Sequence, residues 1–409
     1  MAIKSDMYVG FASALIFSGM MTFWYMYFQP TSSRVSSLRS VSNKGITLRT
    51  AARIRNSTIQ QVTWIEKPTT PDFRLENKCT PKDLFKLGKP GFFENLPNEF
   101  LPGYKGPCFM IKKGDREVLR CLPHFYVIGV TKCGTTEMWA KLRLHPQVSV
   151  SGVVKESDWW SCKRTRSVPF STYLDSRSAN MVERFQQNDS LRNWLVTADG
   201  SPTTIYEFDN WRRFYGNNYD GPKCTAADVL FAAHPTAKLI VTIRDPVSRL
   251  YSHYCHFYNN KGSPQQFHEG VLAEIKIYKT CRTKLSARAC SYARNDREFV
   301  PLHIGLYHVF IRDWLKVFPR EQLHIHRLDS WKENCTKVYS EILKFLELDS
   351  LPVETLRNIC SHEIANSGAR RKEKVGPMMN ETRQLLLDFY AEPNKELSKL
   401  LGDDRYMWK

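Results

Sequence analysis

The chain has 409 residues, 42% of them hydrophobic and 24% charged. That apolar content supports a real core and excludes a wholly disordered protein, and the length holds one large or two ordinary domains. A net charge of +18 favours polyanionic partners; nucleic acid, anionic lipid and sulfated or carboxylated polysaccharide all fit that sign, and charge alone does not choose among them.

Met7 to Phe28 is a run of 22 residues without a charge, long enough to cross a bilayer. Its last part, Phe23-Trp-Tyr-Met-Tyr-Phe28, has no small-residue cleavage site, so the pattern predicts a retained span and not a removed signal peptide. Residues 1–6 form a short tail. Residues 29–78, rich in Ser, Thr and Arg and without an acidic residue before Glu66, read as an extended stem. The arginines that follow the span would leave the body in the cytosol by the positive-inside rule. The sequons at Asn56, Asn188, Asn334 and Asn380, a weaker one at Asn77, and eleven cysteines point instead to an oxidising lumen. Together they favour a single-span protein with residues 79–409 as a lumenal domain.

Cys79 to Cys121 reads as loop-like, and Cys108 with Cys121 is a candidate staple. Next comes His124-Phe-Tyr-Val-Ile-Gly-Val-Thr-Lys-Cys-Gly-Thr-Thr136. Phe125 to Val130 predicts a buried strand, and Thr135 to about Leu144 a helix. A strand that turns through glycine into a helix aims backbone N–H groups and the positive helix end at one spot, an anion site whose usual occupant is phosphate. An NTPase loop requires lysine directly after the second glycine. Here Thr135 holds that place and the lysine, Lys132, lies inside the loop.

Val148 to Val154 is a candidate second strand. Lys238 to Ile243 is a clearer one, ending in Arg244-Asp-Pro246, where proline opens a helix from Val247 to about Asn259. Further helices are expected at 304–318, 336–346 and 379–390, with a strand at 322–328. Strands alternating with helices predict an α/β fold, a mostly parallel central sheet flanked by helices. Ligands of such sheets sit at the carboxyl ends of the strands, where the Lys132 loop and Arg244 both fall. Arg244, with Ser252 two turns into the next helix, makes a natural clamp for a phosphate monoester.

The form Thr131-Lys-Cys-Gly-Thr-Thr136 after a strand resembles the 5′-phosphosulfate loop of sulfotransferases, which bind 3′-phosphoadenosine 5′-phosphosulfate (PAPS). Arg244-Asp-Pro-Val-Ser-Arg-Leu-Tyr-Ser252 resembles their 3′-phosphate motif. With Pro123–Gly129, Leu142–Pro146, Gly305–Tyr307, Asp313–Leu315, Phe318–Leu323 and Leu400–Asp404, the chain over residues 79–409 is similar to the Golgi carbohydrate sulfotransferases, above all the N-acetylgalactosamine 4-sulfate 6-O-sulfotransferase type. The resemblance implies a P-loop-like sulfotransferase fold and PAPS as donor. It places Lys132, Cys133, Gly134, Thr135, Thr136, Arg244 and Ser252 on that donor. Arg371 and Lys372, in a late basic loop, would close over it. It also implies a glycosaminoglycan acceptor, no metal, no nucleic-acid partner, and a single-pass type II protein of the Golgi membrane; the oligomeric state stays open.

Relatives carry a Lys-Glu-Pro-His pattern followed by aromatics, whose glutamate takes the acceptor proton. Here the residues are Lys155-Glu-Ser-Asp-Trp-Trp160, so Glu156 is the expected base, and a surface Lys–Glu pair is the plain alternative. Asp158, a carboxylate where histidine is expected, either raises the pKa of Glu156 by facing the same site or marks altered specificity or lost activity. Trp159 and Trp160 suit a core or a sugar platform equally. Gly200 stands where some heparan enzymes carry lysine. His253 and His256 read as helix packing and not zinc ligands. Cys133 reads as a small loop residue. Cys281 with Cys290, and Cys335 with Cys360, are candidate disulfides. The function so implied is sulfonate transfer from PAPS to a galactosaminoglycan hydroxyl, with a heparan acceptor or a glycosaminoglycan-binding pseudoenzyme as alternatives.

Overall fold

A computed structural model of the chain describes residues 79–408 apart from 81, 85–91, 93–95, 151–153, 167, 207–220, 259–260, 294–298 and 363–368. The expected tail, span and stem lie outside the described residues. Among those described, no helix is long and apolar enough to cross a membrane.

In chain order the elements are β1 (Cys108–Lys113), β2 (Arg116–Cys121), β3 (Phe125–Gly129), α1 (Thr135–Leu142), α2 (Phe170–Gln187), β4 (Ala198–Asp199), α3 (Ala226–Ala233), β5 (Lys238–Ile243) and α4 (Pro246–Phe257). Then come α5 (Pro264–Arg282), α6 (Ala287–Tyr292), α7 (Tyr307–Leu315), β6 (Leu323–Arg327), α8 (Leu328–Glu333), α9 (Cys335–Phe345), α10 (Val353–Ser361), α11 (Ala369–Val375) and α12 (Asn380–Leu401). The central sheet has the order β4-β3-β5-β6 and every pairing in it is parallel. Such a sheet must be covered on both faces, and the side chains divide accordingly. Tyr126, Ile128, Leu239, Val241 and Ile243 enter one core with α3, α4 and α7. Phe125, Val127 and Ile240 enter a second with Met138, Trp139 and Leu142 of α1 and Tyr339, Ile342 and Leu343 of α9. Each large apolar side chain so buried contributes about 1.5–3 kcal/mol.

Three expectations need correction. The stretch before Cys121 is not only loop: β1 and β2 form an antiparallel hairpin that places Cys108 opposite Cys121, and those cysteines are bonded. Its turn uses Gly114 at φ +64, a left-handed value that glycine adopts without strain. The described residues of the span Val148 to Val154 form no ladder strand. Val148 makes one parallel bridge to Val196, and further on the carbonyls of Val154 and Lys155 are taken by the Arg177 guanidinium at 2.7 and 3.3 Å. Backbone acceptors so occupied are withdrawn from a sheet. The helix expected at 304–318 starts at Tyr307, after a 3-10 turn over Leu302–Gly305. There Gly305 packs against Tyr390, with room for no Cβ.

The expected pairs Cys281–Cys290 and Cys335–Cys360 are disulfides, and Cys79–Cys224 is a further one joining residues 145 apart. Cys133 and Cys255 are free, and Cys133, Cys162 and Cys255 are all buried.

Candidate active site

β3 and β5 lie side by side and parallel, so the chain leaving each emerges at the same edge of the sheet. After β3, Lys132 takes φ +67 and Gly134 φ +83. Two left-handed turns in succession wrap the backbone into a concave nest of N–H groups. Gly134 is the cap residue of α1, whose first N–H groups have no partner within the helix and carry its positive end. A Cβ on Gly134 would stand 2.4 Å from a Leu328 methyl, so glycine is required there by space as well as by φ. From β5, Arg244 reaches across and donates to the Lys132 carbonyl at 3.3 Å. Tyr307 donates to the Arg244 carbonyl at 2.9 Å, tying α7 to the same junction. Asp245 caps α4 by accepting from the Val247 and Ser248 amides, with Pro246 in the first turn.

These elements wall a cleft of about 330 Å³ whose lining includes Lys132, Thr135, Thr136, Arg244, Ser252, Arg371 and Lys372. Lys332, Leu328 and Trp331 close another side, beside the Cys335–Cys360 bridge. Burial pushes the Lys132 ammonium down to about 8; Arg371, Arg244 and Lys155 add to the shift and Glu156 opposes it. Burial, and then Arg244, lowers Lys372 as well. Several cations facing one cleft make its potential positive and attractive to an anion.

The segment that carries Glu156 is held in a different way. Arg177, itself buried, grips the backbone at Val154 and Lys155 from α2. Two residues on, the Ser157 hydroxyl donates to Asp199 Oδ2 at 2.5 Å and lies 3.2 Å from the Ser201 hydroxyl, which accepts from the Asp158 amide at 3.0 Å. Ser157, Asp199 and Ser201 are all buried. Between these anchors Glu156 is solvent-accessible, 44% exposed, and paired to Lys155 Nζ at 2.8 Å. The same ammonium donates to Thr135 Oγ1 at 3.2 Å and Thr136 Oγ1 at 3.5 Å. Lys155 thus links Glu156 to the threonines of the Lys132 loop. Asp158 turns aside: its φ is +48, and its carboxylate accepts from Thr203 at 3.1 Å and faces Lys163 at 3.9 Å. Burial raises its pKa.

Residues 123–303 match the model of the sulfotransferase family. Over 379 residues the chain is 33% identical to carbohydrate sulfotransferase 15 of Homo sapiens, spanning 78% of this chain and 67% of that protein. The chain belongs to that sulfotransferase family. The sulfotransferase is also 24% identical over 401 residues to the bifunctional heparan sulfate N-deacetylase/N-sulfotransferase 3 of Homo sapiens, covering 93% of this chain and 40% of that one. The crystal structure of a sulfotransferase from Alicyclobacillus acidocaldarius aligns with 69% of this chain and 97% of its own, at a TM-score of 0.43 and 20% identity.

In this sulfotransferase Lys132, Gly134, Thr135, Thr136, Arg244, Ser252, Arg371 and Lys372 line one cleft. Glu156 stands outside that lining and is tied to it through Lys155. Two details differ from expectation. Arg371 and Lys372 sit on α11 and not in a loop, and the preceding residues 363–368 lie outside the described set. Trp159 and Trp160 are core: they are 2% and 0% exposed, their indole N–H groups spent on the Val168 carbonyl and the Tyr173 hydroxyl. Neither offers a face to a sugar. Cys133 is buried, 3.7 Å from the Tyr307 hydroxyl; burial holds its thiol up at about 11, so it is protonated at neutral pH. His256 is pushed down to about 4 by burial, then by Lys132 and Arg371. It lines the cleft as a neutral ring. Arg177 carried no signal in the sequence. Ser157 stood out as serine where proline is expected, and Asp199 and Ser201 only as the neighbours of Gly200, in a segment that resembles one facing donor and acceptor.

Proposed function

We propose that this sulfotransferase moves a sulfonate group from PAPS to a hydroxyl of a glycosaminoglycan, namely the 6-hydroxyl of N-acetylgalactosamine 4-sulfate in chondroitin or dermatan sulfate. The observation that carries the reading is the cleft in which Arg244 and Ser252 meet the Lys132 loop, with Lys155 linking the loop's threonines to Glu156 beside it. PAPS would supply an activated sulfonate on a good leaving group. Arg244 and Ser252 bind its 3′-phosphate by charge-assisted hydrogen bonds. The loop amides of Gly134, Thr135 and Thr136, with Cys133 at the turn, take the 5′-phosphate, and Arg371 and Lys372 cover it from α11. Sulfonate transfer resembles phosphoryl transfer, an in-line displacement with charge growing on the bridging oxygen. Lys132 stabilises that oxygen, and Glu156 accepts the proton of the attacking hydroxyl. The cationic cleft fits a donor with this many negative charges.

The relative named for heparan sulfate keeps a heparan acceptor as the second reading, and Asp158 in place of histidine keeps a weakened, glycan-binding protein as the third. The apolar run at 7–28 together with four disulfides supports a single-pass type II protein of the Golgi membrane with a lumenal catalytic domain, since such bonds persist in oxidising compartments. Incubation with sulfur-labelled PAPS and separate chondroitin, dermatan and heparan chains, followed by disaccharide analysis, tests the acceptor. The expected product is a 4,6-disulfated galactosamine unit. Label in heparan disaccharides alone would move the second reading ahead, and no transfer to any chain the third.

A further inference from the structure

We propose that Lys155 is a catalytic residue of this site, the cation that receives the sulfonate oxygens as the group passes from donor to acceptor. The proposal rests on the sulfonate-transfer reading above and adds a residue that the reading does not use.

Three observations place it. First, Nζ of Lys155 is within hydrogen-bond reach of both halves of the machinery. It lies 2.8 Å from Glu156 Oε1 on one side, and 3.2 and 3.5 Å from the Thr135 and Thr136 hydroxyls on the other. A group crossing from the loop to a hydroxyl activated by Glu156 passes this ammonium. Second, the side chain is only 15% exposed and its backbone carbonyl is held by buried Arg177. The charge is therefore fixed before substrate arrives, which is what electrostatic stabilisation of a transition state requires. Third, the space for its stem is made by Gly200. A Cβ there would meet Trp139 Cε3 at 2.7 Å and Lys155 Cγ at 3.0 Å. The backbone of Gly200 is not left-handed, so conformation alone does not call for glycine. Glycine at 200 is explained by the Trp139 ring and the Lys155 stem that lie across it. A side chain at 200 and the stem of Lys155 compete for one place, and in this chain Lys155 holds it.

The two lysines then divide the work. Lys132 meets the oxygen bridging phosphate and sulfur, where charge builds as that bond breaks. Lys155 meets the non-bridging sulfonate oxygens. In the free enzyme its charge is shared with Glu156; a sulfonate at the loop draws it away and leaves the carboxylate freer to act as base. The sulfur–oxygen bond to the donor phosphate breaks, a sulfur–oxygen bond to the acceptor forms, and the hydroxyl proton goes to Glu156. Lys155 keeps its proton throughout, and the products are 3′-phosphoadenosine 5′-phosphate (PAP) and a sulfate ester.

PAP lacks the sulfonate, and that makes the role separable from a structural one. Lys155→Met should leave PAP affinity within about twofold of wild type while kcat falls about 10²–10³-fold, as for loss of one preorganised transition-state donor. PAPS should bind more weakly than PAP does to the same variant. Lys155→Arg, which keeps the charge, should recover much of the loss. Gly200→Ala, which leaves the lysine but displaces its stem, should lower kcat with PAP affinity kept. Lys155→Met that turns over within about threefold of wild type, or that loses PAP and PAPS affinity equally, would overturn the Lys155 role alone. Wild-type protein that binds neither nucleotide would overturn the sulfonate-transfer reading and this role with it.

Discussion

Arg244 and Lys132 are 112 residues apart in sequence, yet the guanidinium of the first donates to the carbonyl of the second at 3.3 Å. The contact exists because β3 and β5 are parallel neighbours, so that the segments leaving the two strands share one edge. The proposed clamp for one phosphate thereby braces the loop proposed for the other.

Replacing Arg244 by alanine removes a charged donor from the cleft. Hydrogen bonds to charged groups contribute about 1.5–3 kcal/mol, so PAP affinity should fall roughly 10–100-fold. Adenosine 5′-phosphosulfate, which has no 3′-phosphate, should lose little. Calorimetric titration of both nucleotides decides this; equal losses would show that Arg244 does not read the 3′-phosphate.

Lys132 makes donor binding depend on pH. Its free-state pKa is lowered to about 8, first by burial and then by neighbouring cations, and an anionic donor favours the charged form. Binding must therefore raise that pKa. Affinity is at full strength below about pH 8 and falls as pH rises above it, by up to about tenfold per unit. Titration at about pH 8 in buffers of differing ionisation heat should register proton uptake on binding. Proton release, or affinity flat from about pH 7 to 9.5, would count against Lys132 as the donor's cation.

The Cys79–Cys224 bond closes a loop of 145 residues and ties the start of the domain to the cap of α3. Its removal by paired serine substitution should cost about 2–5 kcal/mol of stability, read from the urea midpoint, with PAP affinity of the folded protein unchanged. Peptide mapping without reductant should recover the four pairs. Cys133, Cys162 and Cys255, all buried, should be alkylated only after unfolding.

The candidate site was legible where chemistry and chain order coincide. The Lys132 loop, Arg244 and Ser252 each come after a strand that announces itself as a short apolar run, and a parallel sheet delivers the segments after such strands to one edge. The base segment was legible only by its Lys–Glu dipeptide. Its anchor comes from α2, whose Phe170, Tyr173, Leu174 and Met181 are buried but whose polar residues between them hide the period. Of the strand expected at 148–154 the described residues show one bridge, Val148 to Val196, and Arg177 takes the carbonyl of Val154 at its end and that of Lys155 beyond it. The β1–β2 hairpin escaped because Lys112, Lys113, Arg116 and Glu117 make its turn end read as loop. Trp159 and Trp160 are placed by Phe92, Phe170 and Tyr173 packing round them, contacts between distant segments that no local pattern encodes.

The most direct test of the proposed chemistry is turnover of wild type, Glu156→Gln and Asp158→Asn on chondroitin 4-sulfate, with PAP affinity measured alongside. Glu156→Gln keeps size and hydrogen bonding but not basicity, so turnover should fall roughly 10²–10⁴-fold at nearly constant PAP affinity. Asp158, turned towards Thr203 and Lys163, should matter far less. Abolition of turnover by Asp158→Asn with Glu156→Gln near wild type would contradict the assignment of the base.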